Sequence, residues 1–480
     1  METNGNEWKR MWANGVLIES MAFIARRPPT SDLRPPTADR RPPTSDLRAT
    51  KVVDDLAERR TGAINPPTNT LPPVPNAPSG SPDARGGRRI LFLNQFVPPD
   101  PAPTARLLGE VAEALRNQGY ETSLVGDAVD YRGGKTLLGS RALREARSLL
   151  RLLFRAATAP RADAIVVLTS PPMVPVVAAL ARLRHRRARL IHWAMDLYPD
   201  VAVALGEVRE GSLLHRLTAA FMRRVYRACD LVIVLDREMA SRVGPGPKRI
   251  EIEPPWPPEA TLFSPSVDET AARGRGERPF TWLYSGNLGR AHEWRTLLEA
   301  QARLEAEGLA VDLVFQGGGA ERIPAEAHAA GLGLRRCHWR DYAPESGLID
   351  SLLAADALVA TQRPETAGCL WPSKLALAVL VGRPILWVGS EDGGIAQWLR
   401  QQGHHAVAPG ESQSLAREVA ALASNTRPAI TADGTLADRI AQARKAGIER
   451  VAGWIGETVG GGGAVGGGLV EWERSVPETK

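Results

Sequence analysis

Between Arg89 and Trp256, short apolar runs alternate with amphipathic helical stretches, and from Phe280 the same alternation starts again. The runs "ILFL", "AIVVL", "ARLIHWA" and "LVIVL" carry little or no polar alternation. Strands of that kind must be covered on both faces, which requires a parallel sheet between two layers of helices. The stretch "TARLLGEVAEALRNQGY" supplies helical spacing between the first two strands. In the second half "FTWLYSG", "VDLVFQGGG", "RRCHWRDY", "ALVATQ" and "PILWVG" read as strands, with helices between them. One of these is expected over "SKLALAVLVG". The fold class that follows is α/β, with two doubly wound, Rossmann-like domains facing a cleft. We expect the first over 88–256, a Pro- and charge-rich linker over 257–278, and the second over 279–434. A closing helix over 435–456 and a flexible Gly-rich tail over 457–480 complete the chain.

A chain of 480 residues exceeds one ordinary core, which agrees with two domains. Residues 1–87 read differently. "RPPTSDL", "RPPTADR" and "RPPTSDL" follow one another from Arg27, and paired prolines oppose both helix and ladder. This heptapeptide repeat is expected to be a disordered tail acting as a spacer, with a docking peptide as the sharper alternative. The net charge of +6, mostly arginine, suits phosphate-bearing or anionic partners and does not require nucleic acid. The three cysteines have no metal spacing, and no Asp-x-Asp occurs that would hold a metal on a nucleotide diphosphate. No cofactor and no metal site are expected, and a reducing cytoplasm is the simplest setting. The uncharged stretch from Ala164 to Ala181 contains Pro171, Pro172 and Pro175, so it reads as strand, turn and helix rather than a membrane span.

In open parallel sheets, ligands sit beyond the carboxyl ends of the strands. In the second domain "SGNLGR" follows the first strand, with Gly286, Asn287, Gly289 and Arg290. Small residues let backbone N–H groups approach an anion, and an arginine adds a forked donor. It lacks the dinucleotide and Walker patterns, and a tight turn with a solvated arginine is the plain alternative. "FQGGG", with Gly317, is a second such turn. Farther on, "RPETAGCLWPSKLALAVLVG" places Glu365 and Gly368 in a loop, then Ser373 and Lys374 at the start of an apolar helix. Ser373 is a candidate cap. A cation in a first helical turn opposes the helix dipole and makes sense opposite a bound anion. Glu365 is suited to accept hydrogen bonds from sugar hydroxyls. In the first domain His192 ends a strand and Asp196 follows it. "SRALREARSLLRLLFRAA" places Arg144 and Arg151 on the basic side of an amphipathic helix, suited to anionic lipid headgroups or to ordinary packing on its own sheet.

Taken in order, "ILFLNQFVPPDPAPTARLLGEVAEALRNQGYE", "IHWAMDLYPDVAVALG", "YSGNLGRAHEW", "RPETAGCLWPSKLA" and "GRPILWVG" resemble family 4 glycosyltransferases of the GT-B fold, nearest to bacterial members that build cell-surface polysaccharide. The resemblance spans about Arg89 to Gly456. It implies retaining, metal-independent transfer of a sugar from a nucleotide-diphosphate sugar to a lipid-linked or saccharide acceptor. It assigns the diphosphate to the "SGNLGR" turn and Lys374, a donor-sugar hydroxyl to Glu365, and the first-domain site to His192. Asp196, Arg144 and Arg151 fall to the acceptor or membrane side, with the chain peripheral on an inner membrane face. Many relatives have two glutamates separated by seven residues. Here the second position falls on Ser373 or on Leu377, Asn287 stands for a common arginine, and His292 for a lysine. A nucleotide-sugar epimerase of the same architecture and a non-catalytic sugar-nucleotide-binding protein remain the alternatives.

Overall fold

The computed structural model describes residues 87–127, 141–259, 278–424 and 434–460, all within one compact unit. The heptapeptide repeat and most of the expected linker and Gly-rich tail lie outside the described residues.

The first domain holds β1 (Arg89–Leu93), β2 (Glu121–Val125), β3 (Ala164–Val167), β4 (Arg189–Trp193), β5 (Leu231–Val234) and β6 (Ile250–Ile252). Their order is β2-β1-β3-β4-β5-β6, parallel throughout. The second holds β7 (Phe280–Ser285), β8 (Val311–Gln316), β9 (Cys337–Arg340), β10 (Ala357–Thr361), β11 (Ile385–Val388) and β12 (His405–Val407). Their order is β12-β11-β10-β7-β8-β9, again parallel. The inner strands are buried because helices cover both faces, while the edge strands β2 and β9 stay partly exposed. Pro103–Asn117, for example, turns Leu107, Leu108, Val111 and Leu115 inward. The edge strands β6 and β12 are three residues each, too short to leave a periodic signal.

The chain ends by crossing back. The helix Leu436–Gly460 lies on the first domain, where Arg444 donates to Glu110 Oε1 at 3.1 Å and Arg450 to Glu253 Oε1 at 2.7 Å. Gly447 is needed there, since a Cβ would sit 2.4 Å from the Trp256 ring. This helix runs past 456, so residues 457–460 are helical rather than tail. The helix expected over "SKLALAVLVG" is also corrected: only Leu375–Ala378 is α-helical, and Lys374 is its N-cap residue. The amides of Leu375, Ala376, Leu380 and Val381 bond three residues back instead of four, so both flanks tighten into single turns.

The two domains share apolar contacts. Tyr198, Val201 and Leu214 of the first pack against Ala291, Cys369 and Leu370 of the second. Leu197 N donates to Cys369 O at 2.8 Å, and Asp196 pairs with Leu370 in an isolated antiparallel bridge. The strand ends of both sheets therefore meet.

Candidate active site at the domain junction

In the second sheet the chain turns from β7 toward β8 on one side, and β10 adjoins β7 on the other. The strand order reverses at that pair, which opens a crevice beyond their carboxyl ends. The two motifs singled out in the sequence are the loops that leave β7 and β10, and the fold joins them there. Arg363 N donates to Ala291 O at 2.8 Å, and His292 Nδ1 donates to Thr361 O at 2.8 Å.

Lys374 occupies this crevice. Its Nζ is buried, has no hydrogen-bond partner, and stands 3.7 Å from the centre of the Tyr284 ring. The tight turns flanking Leu375 carry the side chain inward over β7. Burial holds its pKa well below the usual lysine range. Burial, and then the Lys374 charge, keep His292 well below the usual histidine range. A cation over an aromatic face gains about 0.5–2 kcal/mol, less than a full set of hydrogen bonds would give an ammonium. An anion in the crevice would supply the missing partner.

The glycines of the two turns have another role than anion contact. Gly286 and Gly317 both have φ of 138°, and a Cβ on Gly317 would lie 2.1 Å from Gly286 O. Gly286 N already donates to Gln316 O, and Leu288 N to Gly318 O at 2.6 Å. The turns after β7 and β8 are therefore packed backbone to backbone, and the Gly286 and Leu288 amides are spent within the protein. Asn287 Oδ1 accepts from Tyr342 Oη at 3.1 Å. Among the described residues, Gly289 N makes no backbone bond.

Arg290 crosses the junction. Its guanidinium pairs with Glu207 of the first domain, a carboxylate whose side chain is almost wholly buried, and reaches Leu205 O at 3.5 Å. Glu365 lies at the mouth, its side chain 55% exposed and 3.3 Å from Arg363 Nε. A backbone N–H and Arg363 hold its carboxyl below the usual glutamate range. Gly368, at φ 67°, lets the loop approach the first domain, since a Cβ would lie 2.8 Å from Arg242 Nε. Lys374, not Ser373, is the N-cap residue of the short helix.

His192 is corrected more fully. It pairs in register with Val167 and Val232 inside the sheet, its Nδ1 donates to Val167 O at 3.0 Å, and its ring stacks on Tyr226. Burial lowers its pKa to about 4, so it is a neutral core residue that does not face the crevice. Strand β4 ends one residue later, and Asp196, beyond that end, reaches the junction. Asp196 is half-buried, and burial alone raises its pKa to about 7. Arg144 and Arg151 lie on the exposed helix Arg141–Thr158, away from the junction, and Arg151 pairs with Asp127 at 3.1 Å.

A cavity of about 100 Å³ also opens between the domains, lined by Arg106, Leu107 and Trp256 on one side and Ser285, Lys374 and Leu377 on the other. Among the described residues no group of three or more His, Cys, Asp or Glu side chains is arranged to hold a metal ion. Glu207 and Trp256 escaped the sequence reading because single residues in loops carry no spacing, and Arg106 because nothing in its helix sets it apart from a surface arginine.

The comparisons bear on this geometry. Over 77% of this chain and 98% of its own, sucrose-phosphate synthase from Thermosynechococcus elongatus superposes with a TM-score of 0.54 at 17% identity. Anabaena Alr3699/HepE, solved in complex with UDP and glucose, gives 0.53 at 18% identity over 76% and 98%. The architecture is GT-B. In sequence, the GT-B chain is 28% identical over 218 residues to the putative colanic acid biosynthesis glycosyl transferase WcaI of Escherichia coli (strain K12). That match covers 43% of this chain and 52% of WcaI, so it spans about half the length of the curated relative. No family model matches.

Proposed function

We propose that this chain is a retaining, metal-independent glycosyltransferase. It moves a sugar from a nucleotide-diphosphate sugar to a saccharide or lipid-linked acceptor in polysaccharide biosynthesis. The observation that carries the reading is the buried, partnerless Lys374 ammonium at the strand-order reversal, where a GT-B crevice takes its ligand. The likeness to WcaI and the UDP complex of the fold neighbour support a nucleotide-sugar donor.

As the bond from the anomeric carbon breaks, negative charge grows on the diphosphate. A fixed cation in a site that excludes water stabilises that charge without reorganising. Lys374 acts as that cation, and Arg290 joins it when the diphosphate competes for it with Glu207. Glu365, charged and exposed at the mouth, accepts from a donor-sugar hydroxyl.

The same reading docks the first domain on an anionic bilayer at the cytoplasmic face. Leu150 and Phe154 are 66% and 69% exposed beside exposed Arg144 and Arg147. Across the helix Val174–Ala181, the helix Leu213–Ala228 exposes Leu213, Leu217 and Phe221 next to Arg216, Arg223 and Arg224. Apolar side chains among arginines, with no acid on the second helix, suit a headgroup layer. No helix among the described residues is long and apolar enough to cross a membrane.

A thermal-shift panel of UDP-, GDP-, ADP- and dTDP-sugars tests the donor. One donor class should raise the melting temperature, because a ligand that binds only the folded state stabilises it. A panel in which no nucleotide sugar shifts it overturns the reading.

A further inference from the structure

The cavity beside Lys374 differs in chemistry from the crevice it joins. Lys374 belongs to both: it lines the cavity, and its unpartnered Nζ reaches the Tyr284 ring. Ser285, which closes β7, and Ser373, which precedes the lysine, bring hydroxyls to the same end. Ser285 Oγ also accepts from Gln316 Nε2 at 3.2 Å. Elsewhere the second-domain wall is apolar. Leu283 and Leu358 come from paired positions on adjacent strands, Leu348 and Leu352 from the helix Leu348–Ala354, and Leu377 from the short helix.

The polar groups of the first-domain wall are engaged elsewhere. Pro103, Pro255, Pro257 and Pro258 have no N–H to offer. Arg106 donates to Trp256 O at 3.0 Å, to Pro257 O at 3.2 Å and to Glu110, and Trp256 Nε1 donates to Glu110 Oε2 at 2.6 Å. None of the described residues that line the cavity is Asp, Glu, Asn or Gln.

The proposed function puts a diphosphate on Lys374 and the donor sugar toward Glu365. The nucleoside's pentose is bonded to the other end of that diphosphate, and a cavity of about 100 Å³ next to the cation has room for one such ring. A ring that enters phosphate-first keeps C3′ nearer the serines and carries C2′, one bond farther from the phosphate, toward the apolar wall. A ribose 2′-hydroxyl is commonly held by an acidic side chain, and the lining has none. There the hydroxyl would lose water and gain no partner, whereas the C2′ methylene of a deoxyribose gains apolar contact.

Resting on the glycosyl-transfer reading, we infer that this cavity selects a 2′-deoxypentose, so that the donor is a 2′-deoxynucleoside diphosphate sugar. Of UDP-, GDP-, ADP- and dTDP-sugars, only the last carry that pentose. Leu377 is the specificity-determining residue, because it lies three residues after Lys374, on the same side of the short helix and in the same wall.

Calorimetric titration of the full chain with matched pairs tests the pentose alone: UDP against dUDP, ADP against dADP and GDP against dGDP, with dTDP alongside. In each pair that binds, the 2′-deoxy member should bind about 10–100-fold tighter, the range expected for one buried hydroxyl left unpaired. Leu377→Gln places an amide in the apolar wall and should shrink that ratio by about 3–10-fold, while Leu377→Met keeps the wall apolar and should keep the ratio. Wild-type pairs that bind equally, or ribonucleotides that bind tighter, overturn the inference and leave the donor reading standing. A folded Leu377→Gln that weakens both members of a pair alike overturns the role of Leu377. If Leu377→Gln does not fold, the wild-type pairs decide alone. A wild type to which no nucleoside diphosphate binds overturns the glycosyl-transfer reading and this inference with it.

Discussion

Replacing Lys374 with methionine separates its role in stability from its role in chemistry. Methionine has nearly the same length and leaves a thioether over the Tyr284 ring, a favourable contact. In the free protein the Lys374 ammonium is buried without a hydrogen-bond partner. An unsatisfied buried donor costs about 1–3 kcal/mol, and the ring offsets about 0.5–2 kcal/mol of that. The exchange should therefore stabilise the unliganded fold by about 1 kcal/mol, or roughly 2–4 °C in melting temperature for domains of this size. The gain should depend on pH. The folded lysine titrates well below its ordinary value of about 10.4, so over that interval the folded chain holds fewer protons than the unfolded one. Wild-type stability must then climb as pH rises toward about 10, and the methionine variant should lack the climb. Turnover should move the other way, falling by about 10²–10³-fold with loss of the cation that meets the diphosphate. Scanning calorimetry between pH 7 and 10, paired with donor hydrolysis, measures both. A variant that melts no higher than wild type, has the same pH slope and turns over donor normally would refute the reasoning.

Other substitutions probe the remaining parts. Gly317→Ala should destabilise by about 3 kcal/mol or more in a denaturant titration, since its Cβ would lie 2.1 Å from Gly286 O and its φ is 138°; normal stability would show that the two turns are not locked together. His192→Leu should cost about 1–3 kcal/mol by leaving Val167 O without its partner, while the folded fraction hydrolyses donor within a few-fold of wild type. A large loss of kcat at unchanged stability would return His192 to the reaction. Arg144→Ala with Arg147→Ala should weaken flotation with phosphatidylserine vesicles roughly 30-fold, at about 1 kcal/mol for each arginine near an anionic surface. Arg151 is less suitable because Asp127 already engages it. Unchanged flotation would remove the bilayer contact.

Much of the fold was legible because fully apolar strands and amphipathic helices leave strong periodic signals, and both sheets follow from them. The strands β6 and β12 were not, because three residues carry no period. The two loops that form the crevice were also legible, since Gly286, Arg290, Glu365 and Lys374 all follow strands. What each side chain does there was less so. Lys374 was expected in the first turn of a long apolar helix, and the tight turns around the shortened helix Leu375–Ala378 bury its Nζ instead. Gly286 was expected to offer its amide to an anion, but Gln316 O already takes it. His192 looked like a strand end, and one more residue of β4 leaves it in the core. In each case the deciding contact comes from a neighbouring strand or the other domain. No local pattern encodes the register that brings Arg290 to Glu207 or Asp196 to Leu370.

The central claim is that a nucleoside diphosphate supplies the partner Lys374 lacks. Isothermal titration at pH 8 in buffers of differing ionisation enthalpy tests it, using whichever of UDP, GDP and ADP stabilises the fold. Binding should draw protons onto Lys374, with net uptake in wild type and none in Lys374→Met. Tight binding without proton uptake, or with the same uptake in both proteins, would contradict it.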